Sequence, residues 1–472
     1  MKPVWQLSAV ETAEATRAGR LSCVEVVEAH SQRYAAVNPD LNAVTVDLRE
    51  RALETARARD AALRSGTPAG PLHGVPVTIK ENVDQTGEST PNGVAGLAGV
   101  IAPDDSPVVR NLTRAGAIVI GRTNTPEYSF RAFTDNPLRG LTRNPWDPAG
   151  VTCGGSSGGA AASVAAGVGA IAHGNDIGGS LRIPAYCCGC PTVRPTLGRV
   201  PAYNPSQAEE RALLMQMMSV QGPIAREVRD VRLGLGAMAA ADPRDPLWVP
   251  APLEGPPLPR PIRVAVAECE AHPAVRAAID EAAGRLADAG YAVEAAEPPE
   301  VERMKEVWFR IIFADFRVTM EESVRRLGSE EVNRIVDAYF AMAGSVPGID
   351  TYVRDLAERN RLLRAWNLFL EEYPLVLSPV STEPPFPLND DLAGPERVRE
   401  IFDSLRYTSA MNLVGLPGVA MPTGLHDGAP VGVQIVGRRY REDVCLDAAE
   451  VIERSVGVLS EQLWAREAGT AP

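Results

Sequence analysis

The sequence predicts an α/β fold, because strands and helices alternate in two stretches that lie far apart in the chain. The strand runs are short and rich in valine and isoleucine, and each intervening helix ends at a glycine. We expect strands at 75–80, 117–120, 262–267 and 291–295, with helices at 106–114 and 274–289. This rhythm is typical of a sheet with helices packed against it.

Further helices are predicted on either side of these units. Ser8 and Ser22 are suitable N-caps for two amphipathic helices, and a third helix is expected from about 48 to 65. The proline-rich stretch 243–261 is either a linker between two domains or a rigid loop across one domain. Region 304–372 is strongly helical, and the large side chains of its first helix belong either to the core or to a substrate pocket: Trp308, Phe309, Ile312, Phe313 and Phe316.

Composition argues against several classes of partner. The chain has 472 residues, a formal net charge of −13 and a pI near 5.1, which does not suit a nucleic-acid or anionic-membrane surface. Residues 1–19 contain no apolar stretch of the signal-peptide kind, and the quiet run 160–172 is built from alanine and glycine. We therefore expect a cytoplasmic protein with neither nucleic-acid nor membrane partners.

The seven cysteines do not suggest a disulfide framework or a metal site. They are few and irregularly spaced for a chain of this length. Cys187 and Cys190 form one C-x-x-C pair, but no second pair accompanies it. Buried, inert thiols are favoured over a redox or zinc role.

Lys80 is conspicuous because only three of the 47 basic side chains are lysines. It closes the apolar run 74–79 at the end of a predicted strand. An ammonium group that is desolvated among apolar side chains loses its proton readily and can act as a base, which a guanidinium cannot do. The alternative is a lysine at a strand end that points into water.

Two glycine-flanked serine motifs follow, at 154–159 and 178–180. The first precedes small residues that favour a buried helix, and the spacings of nucleotide-binding loops are absent. In the second, two glycines before Ser180 allow a tight turn whose N–H groups converge on one point, as an oxyanion requires. His173 is near in sequence but stands in no known triad motif. A serine nucleophile served by a lysine base is therefore favoured over a Ser-His-Asp triad.

Together with other motifs, these residues resemble the amidase signature family, whose enzymes use a Ser-Ser-Lys triad. Besides the two serine motifs, the shared segments occur in family order at 71–82, 121–127, 144–146, 194–200, 222–226, 415–418 and 430–434. The resemblance implies one domain over 1–472, with a central mixed, twisted β-sheet covered by helices on both faces. Its expected parts are N-terminal helices over about 1–66, a signature core over 71–230, a helical substrate-side region over 300–372, and the C-terminal sheet and helix over 373–465.

The resemblance also implies a role for individual residues. Lys80 is the base, Ser156 the relay after a cis Gly155–Ser156 bond, and Ser180 the nucleophile. The substrate pocket includes Ser129 and Phe130, and no metal or organic cofactor is needed. The oxyanion hole is formed by the backbone N–H groups of Ile177, Gly178, Gly179 and Ser180.

Three positions depart from the family's usual wording, which bears more on the substrate than on the chemistry. They are Cys153, the stretch 192–194, and Asn175, which stands where threonine is common.

The function implied is hydrolysis of a small-molecule carboxamide. The apolar segments 128–133 and 213–218 belong either to the core or to the site, and if they face the site, an aryl or medium apolar acyl group fits better than a charged amino acid. Two alternatives remain: a glutamine amidotransferase subunit that acts with a partner, and a biosynthetic acyl-transfer or binding relative. Against the first, residues 219–221 lack the aspartate that those subunits carry before the Gly222-Pro223 motif. The expected partner is an amide substrate, and a homodimer is left open.

Overall fold

Eleven strands form one mixed sheet in the computed structural model, which describes residues 2–147, 150–344 and 348–469. The strands are β1 (Val44–Asp47), β2 (Pro76–Lys80), β3 (Ile118–Thr123), β4 (Ile171–Asp176), β5 (Thr192–Arg194), β6 (Val220–Ala225), β7 (Arg263–Val266), β8 (Ala292–Ala295), β9 (Leu375–Pro379), β10 (Gly418–His426) and β11 (Ala429–Gly437). Their order across the sheet is β1-β3-β2-β4-β6-β5-β10-β11-β9-β7-β8. The β2–β3, β2–β4, β7–β8 and β7–β9 pairs are parallel, and the other pairs are antiparallel.

The helices occupy most of the remaining described chain. They are α1 (Ala9–Arg17), α2 (Cys23–Leu41), α3 (Arg49–Arg64), α4 (Pro107–Arg114), α5 (Gly158–Ala165), α6 (Arg182–Cys188), α7 (Leu213–Met218), α8 (Val228–Met238), α9 (Pro273–Asp288), α10 (Val301–Thr319), α11 (Glu321–Leu327), α12 (Glu330–Ala343), α13 (Ile349–Glu372), α14 (Pro395–Ser404), α15 (Arg406–Val414), α16 (Glu442–Val456) and α17 (Leu459–Glu467). Short 3-10 turns lie at Val4–Gln6, Ala95–Leu97, Glu127–Ser129 and Asp390–Ala393.

The predicted strand-helix-strand units are confirmed, with ends that differ by at most three residues. They correspond to β2, α4 and β3 in the first half, and to β7, α9 and β8 in the second. Ser8 and Ser22 each accept a hydrogen bond from the backbone N–H of the glutamate three residues on, whose side chain bonds back to the N-cap. The helix predicted over 48–65 is α3.

Helices cover both faces of the sheet, as predicted, because successive strand residues point to opposite sides. On β9, Leu375 and Leu377 pack in one buried cluster with α4, α8, α9 and α16. Val376 lies between them and packs in another cluster with α10, α12, α13 and α15. Each face is therefore closed by its own hydrophobic core.

The proline-rich stretch is a loop across one domain. It leads from α8 to β7, which pairs with β9 in the same sheet. The Arg199 guanidinium donates to the carbonyls of Ala251 and Pro252, and the N–H of Gly255 donates to the Asp443 carboxylate. These bonds hold the loop against the domain that it crosses.

Candidate active site

Lys80 lies at the carboxyl end of β2, next to the carboxyl end of β4. The two strands are parallel neighbours, with Val77 paired to Ile171 and Thr78 to Ala172. Their carboxyl ends therefore meet at one edge of the sheet, where residues 177–180 form the turn that follows β4. The carboxyl ends of parallel strands are where α/β proteins commonly bind ligands.

The Lys80 side chain is fully buried and makes three hydrogen bonds. Its Nζ atom is 2.7 Å from Ser156 Oγ, 3.1 Å from Ser157 Oγ and 2.8 Å from Asn175 Oδ1. Burial lowers the pKa of this amine well below its ordinary value, and the charge of Asp176 offsets that effect only in part. This placement keeps the amine away from bulk water, in contrast to the alternative of a lysine that points into solvent at a strand end.

The two serine motifs lie side by side at the wall of one cavity. The peptide bond Gly155–Ser156 is cis, and Ser156 precedes the buried helix α5. The N–H of Ser157 donates to the carbonyl of Ser180 at 3.3 Å. Ser156 and Ser180 both line a cavity of about 600 Å³. The structure therefore gathers Lys80, Ser156 and Ser180 at one edge of the sheet.

Asp176 organises the turn that carries Ser180. Its carboxylate accepts hydrogen bonds from the N–H groups of Gly179 and Leu181, and from the Asn412 amide. It also pairs with Arg182 at 3.0 Å, and both side chains are fully buried. Burial alone would raise the pKa of Asp176, but the Arg182 guanidinium holds it well below its usual range. A permanently charged anchor thus fixes the turn.

The turn differs in one respect from the predicted oxyanion hole. The N–H of Gly179 donates to Asp176 Oδ1 at 2.8 Å, so this predicted donor is engaged inside the protein. No acceptor from the described residues is recorded for the N–H groups of Ile177, Gly178 and Ser180. The carbonyl of Ile177 accepts from Trp308 Nε1 at 2.9 Å, which directs the following N–H, that of Gly178, away from the indole.

Aromatic side chains line one side of the cavity. The Phe130 ring contacts Phe316 edge-on at 4.8 Å and stacks near Tyr128 at 5.8 Å between ring centroids. Of the aromatics predicted as core or pocket, Trp308, Phe313 and Phe316 line the cavity, whereas Phe309 packs in the core. Tyr339 and Phe402 complete this side.

Ser129 also lines the cavity, but its hydroxyl group is bound within the protein. It accepts from Asn82 Nδ2 at 3.0 Å, donates to Asn92 Oδ1 at 2.7 Å and lies 3.0 Å from Thr125 Oγ1. Tyr128 and Ser129 both have positive φ angles, 55° and 59°, a conformation that side chains other than glycine rarely adopt. The Ser129 hydroxyl is thus held by three neighbours at the cavity wall, and its contact with substrate stays a prediction.

Two further expectations concern groups outside the triad. His173 is buried, and its Nε2 lies 2.7 Å from Gln221 Oε1 on β6; burial lowers the pKa of this imidazole to about 3. Of the seven free cysteines, only Cys269 is not fully buried. In the described ranges, no group of three or more His, Cys, Asp or Glu side chains could hold a metal ion. No helix there is long and apolar enough to cross a membrane.

Sequence reasoning missed the amide pair beside Lys80. Asn175 Nδ2 donates to Asn82 Oδ1 at 2.9 Å, and Asn82 Nδ2 lies 3.2 Å from Asn175 Oδ1. This pair connects Lys80 to Ser129. The available signal was the unusual residue at position 175 and the position of Asn82 two residues after the lysine.

Comparison with known proteins agrees with this geometry. The family model described as Amidase matches residues 25–446. An indoleacetamide hydrolase from Bradyrhizobium diazoefficiens is 52% identical over 98% of this chain and 89% of its own length. An acylamidase from Rhodococcus erythropolis is 33% identical over 95% of this chain and 95% of its own. A solved bacterial aryl acylamidase of the amidase signature family superposes with a TM-score of 0.85 at 26% identity, covering 98% and 99% of the two chains.

The chain therefore belongs to the amidase signature family. It is an amidase, an enzyme that acts on amides.

Proposed function

We propose that the chain hydrolyses a small-molecule carboxamide through an acyl-enzyme on Ser180, with Ser156 as proton relay and Lys80 as base. The observation that carries this proposal is the environment of the Lys80 amine. It is fully buried and lies 2.7 Å from Ser156 Oγ, and no carboxylate among the described residues forms an ion pair with it. An isolated ammonium in such a place would be costly, which favours the neutral amine.

The three hydrogen-bond partners fit a neutral amine. A neutral amine has two N–H donors and one lone pair. The amide oxygen of Asn175 can only accept, and the Ser157 hydroxyl can accept a second N–H. The lone pair is then free to accept the proton of the Ser156 hydroxyl. This arrangement makes Lys80 a base rather than a fixed cation.

The reaction follows from these roles. Lys80 takes the proton of Ser156, which takes the proton of Ser180, while Ser180 Oγ attacks the amide carbonyl carbon. The proton returns through Ser156 to the leaving nitrogen as the C–N bond breaks. Water then attacks the ester by the same relay, and the carboxylic acid is released. Close packing of the two serine motifs supports this order of transfer.

The oxyanion would be held by the backbone N–H groups of Ile177, Gly178 and Ser180. Each such donor is worth on the order of 3 kcal/mol of transition-state stabilisation in comparable sites. Gly179 contributes instead by binding Asp176, which keeps the turn in shape. We assign the hole three donors rather than four.

We propose an aryl-substituted acetamide as the substrate class. The aromatic side of the cavity offers edge and face contacts to a flat ring. The name of the Bradyrhizobium relative, indoleacetamide hydrolase, supports the same class. Indole-3-acetamide is therefore the first compound to test, and an amide with a charged or glutamine-like acyl group is expected to be a poor substrate.

Active-site trapping tests the nucleophile. A fluorophosphonate probe should label the wild type and the control Ser65→Ala, whose serine is exposed at the end of α3, but not Ser180→Ala. Equal labelling of Ser180→Ala would remove Ser180 from its role. Turnover of indole-3-acetamide by the purified chain alone tests the reaction, and activity only in the presence of a second protein would favour the amidotransferase alternative.

A further inference from the structure

Arg211 is a cation in the wall of the catalytic cavity that has no anionic partner in the described chain. It precedes α7, and its Nη2 donates to the carbonyl of Met215 at 3.3 Å, the one hydrogen bond recorded for this guanidinium among the described residues. The side chain is half-buried, and this partial burial lowers the pKa of the guanidinium with no nearby charge to offset the effect. A guanidinium has five N–H donors, so most of this donor capacity is unused.

A second arginine that lines the cavity, Arg131, has a carboxylate partner for its guanidinium. Arg131 makes a two-pronged contact with Asp391, with both N–O distances at 2.7 Å. Both residues are about 95% buried. Arg211 lacks such a carboxylate although it opens onto the same cavity.

The acidic residues near Arg211 are turned elsewhere or already bound. Glu209 and Glu210 border the cavity but are exposed to solvent. The carboxylate of Asp245 accepts from the N–H groups of Ala202 and Leu247, both at 2.7 Å. None of these three groups is bonded to the guanidinium. Because Arg211 is half-buried, its remaining donors are open to water in the free protein, and the anion of a ligand could replace that water.

Arg211 is connected to the catalytic turn through α7 and β6. The Met215 carbonyl that it contacts also accepts from the N–H of Ser219 at 3.2 Å. Ser219 directly precedes β6, whose first residue, Val220, pairs with Asp176 at the start of the oxyanion turn. The guanidinium is therefore held beside the strand ends that carry the catalytic turn.

The cavity has an aromatic side and a polar side. Ammonia, the leaving group of a primary amide, would fill only a small part of the polar side. The polar side includes Asn204, Gln207, Arg211, Gln216, Ser219 and Gln221. A volume of about 600 Å³ is in the range that encloses a drug-sized ligand. If the apolar acyl group occupies the aromatic side, the leaving amine faces Arg211.

We propose that this amidase also hydrolyses N-acyl-α-amino acids, with Arg211 binding the carboxylate of the leaving amino acid. The inference rests on the proposed function, because the same Ser180 acyl-enzyme is used. The acyl C–N bond breaks as the Ser180 ester forms, and the proton from Ser180 passes through Ser156 to the amino-acid nitrogen. Water then releases the carboxylic acid, so the products are one acid and one amino acid.

The test compares two leaving groups that differ at one substituent, a carboxylate in one and a methyl group in the other. N-(indol-3-ylacetyl)-L-alanine carries the carboxylate, and N-isopropyl-indol-3-ylacetamide replaces it with a methyl group. We expect wild-type kcat/KM to favour the alanine conjugate by about 10- to 100-fold, the usual worth of hydrogen bonds to a charged group. Arg211→Met should bring this ratio close to one, and Arg211→Lys should keep part of it. The matched control Arg354→Met, at an exposed position of α13, should keep the wild-type ratio.

Each other outcome identifies what has failed. A wild-type ratio near one, or an unchanged ratio in Arg211→Met, overturns the inference. So does a preference found only for 1,4-phenylenediacetic acid monoamide, whose carboxylate is on the acyl side. Because the wild-type ratio is decisive by itself, a variant that fails to fold does not protect the proposal. If indole-3-acetamide is not hydrolysed either, the proposed function has failed; if it is hydrolysed and the conjugate is not, only this inference has failed.

Discussion

The Asn175 amide oxygen allows a direct test of the uncharged base, because Asn175→Asp would place a carboxylate beside the amine. Two unit charges 2.8 Å apart, the present Nζ–Oδ1 distance, attract by about 6 kcal/mol at an effective dielectric constant of about 20. Since about 1.36 kcal/mol changes a pKa by one, the substitution should raise the pKa of Lys80 by about 4. The ammonium form of Lys80 would then be strongly favoured over the neutral amine.

The expected result is a displaced pH profile. A base must be deprotonated to act, so the rising limb of kcat/KM moves to higher pH as the pKa of Lys80 rises. Turnover of indole-3-acetamide should fall at neutral pH by up to about 10⁴-fold and recover in alkaline buffer. The assay is ammonia release measured over a full pH series.

The control is Asn175→Leu, which removes the hydrogen bond without adding a charge. It should slow turnover but should not move the rising limb to higher pH. A wild-type pH profile in Asn175→Asp would refute the reasoning, because a new carboxylate at this distance cannot leave a nearby base unaffected. A loss that does not recover in alkaline buffer would point to damage of the site rather than to protonation of Lys80.

Three further substitutions test other parts of the site. Lys80→Met should lower kcat by about 10²- to 10⁴-fold. Because burial lowers the pKa of Lys80, the unfolded wild type binds a proton at this lysine that the folded wild type does not. The thermal stability of the wild type relative to this variant should therefore rise with pH up to about 10.4. Gly178→Ala would place a Cβ 2.8 Å from the Trp308 ring. It should lower the free energy of unfolding, measured with denaturant, by about 1–3 kcal/mol, and it should also lower turnover. Arg131→Met leaves Asp391 buried without its partner, and should cost about 3–5 kcal/mol in the same measurement.

Contrary results would be informative in each case. Near-normal turnover by Lys80→Met would mean that another base serves Ser156. A stable and active Gly178→Ala protein would show that the indole can move away from the turn. An unchanged midpoint for Arg131→Met would indicate that Asp391 takes up a proton or reaches water.

The reacting groups could be predicted from the sequence because they stand in short motifs. Lys80 is the last residue of an apolar strand, and the two glycines before Ser180 predict a tight turn. Their surroundings could not be predicted in the same way. Lys80 and Asn175 are 95 positions apart, and the partners of Arg182 include Gln434, which is 252 positions away. Such contacts are set by strand order and not by local pattern.

The hydrogen bonds of Ser129 depend on a backbone conformation that the local sequence pattern did not indicate, and its contact with substrate stays a prediction. The consecutive positive φ angles at Tyr128 and Ser129 hold its hydroxyl against Asn92. The fold shows a similar limit. Periodicity located β2, β3, β7 and β8, whereas the bounds of β10 and β11 were not predicted, since prolines and glycines interrupt both strands.

The site must resolve an electrostatic conflict between its turn and its base. The turn needs the Asp176 carboxylate, because two backbone N–H groups and the Asn412 amide bind to it. A free carboxylate so close to the end of β2 would favour the ammonium form of Lys80 and remove the base. Arg182 forms a buried ion pair with Asp176, and its positive charge offsets much of the effect of the carboxylate on Lys80. The guanidinium itself is held by Gln434 and Asn412. Burial can then keep the pKa of Lys80 low while the anchor of the turn stays charged.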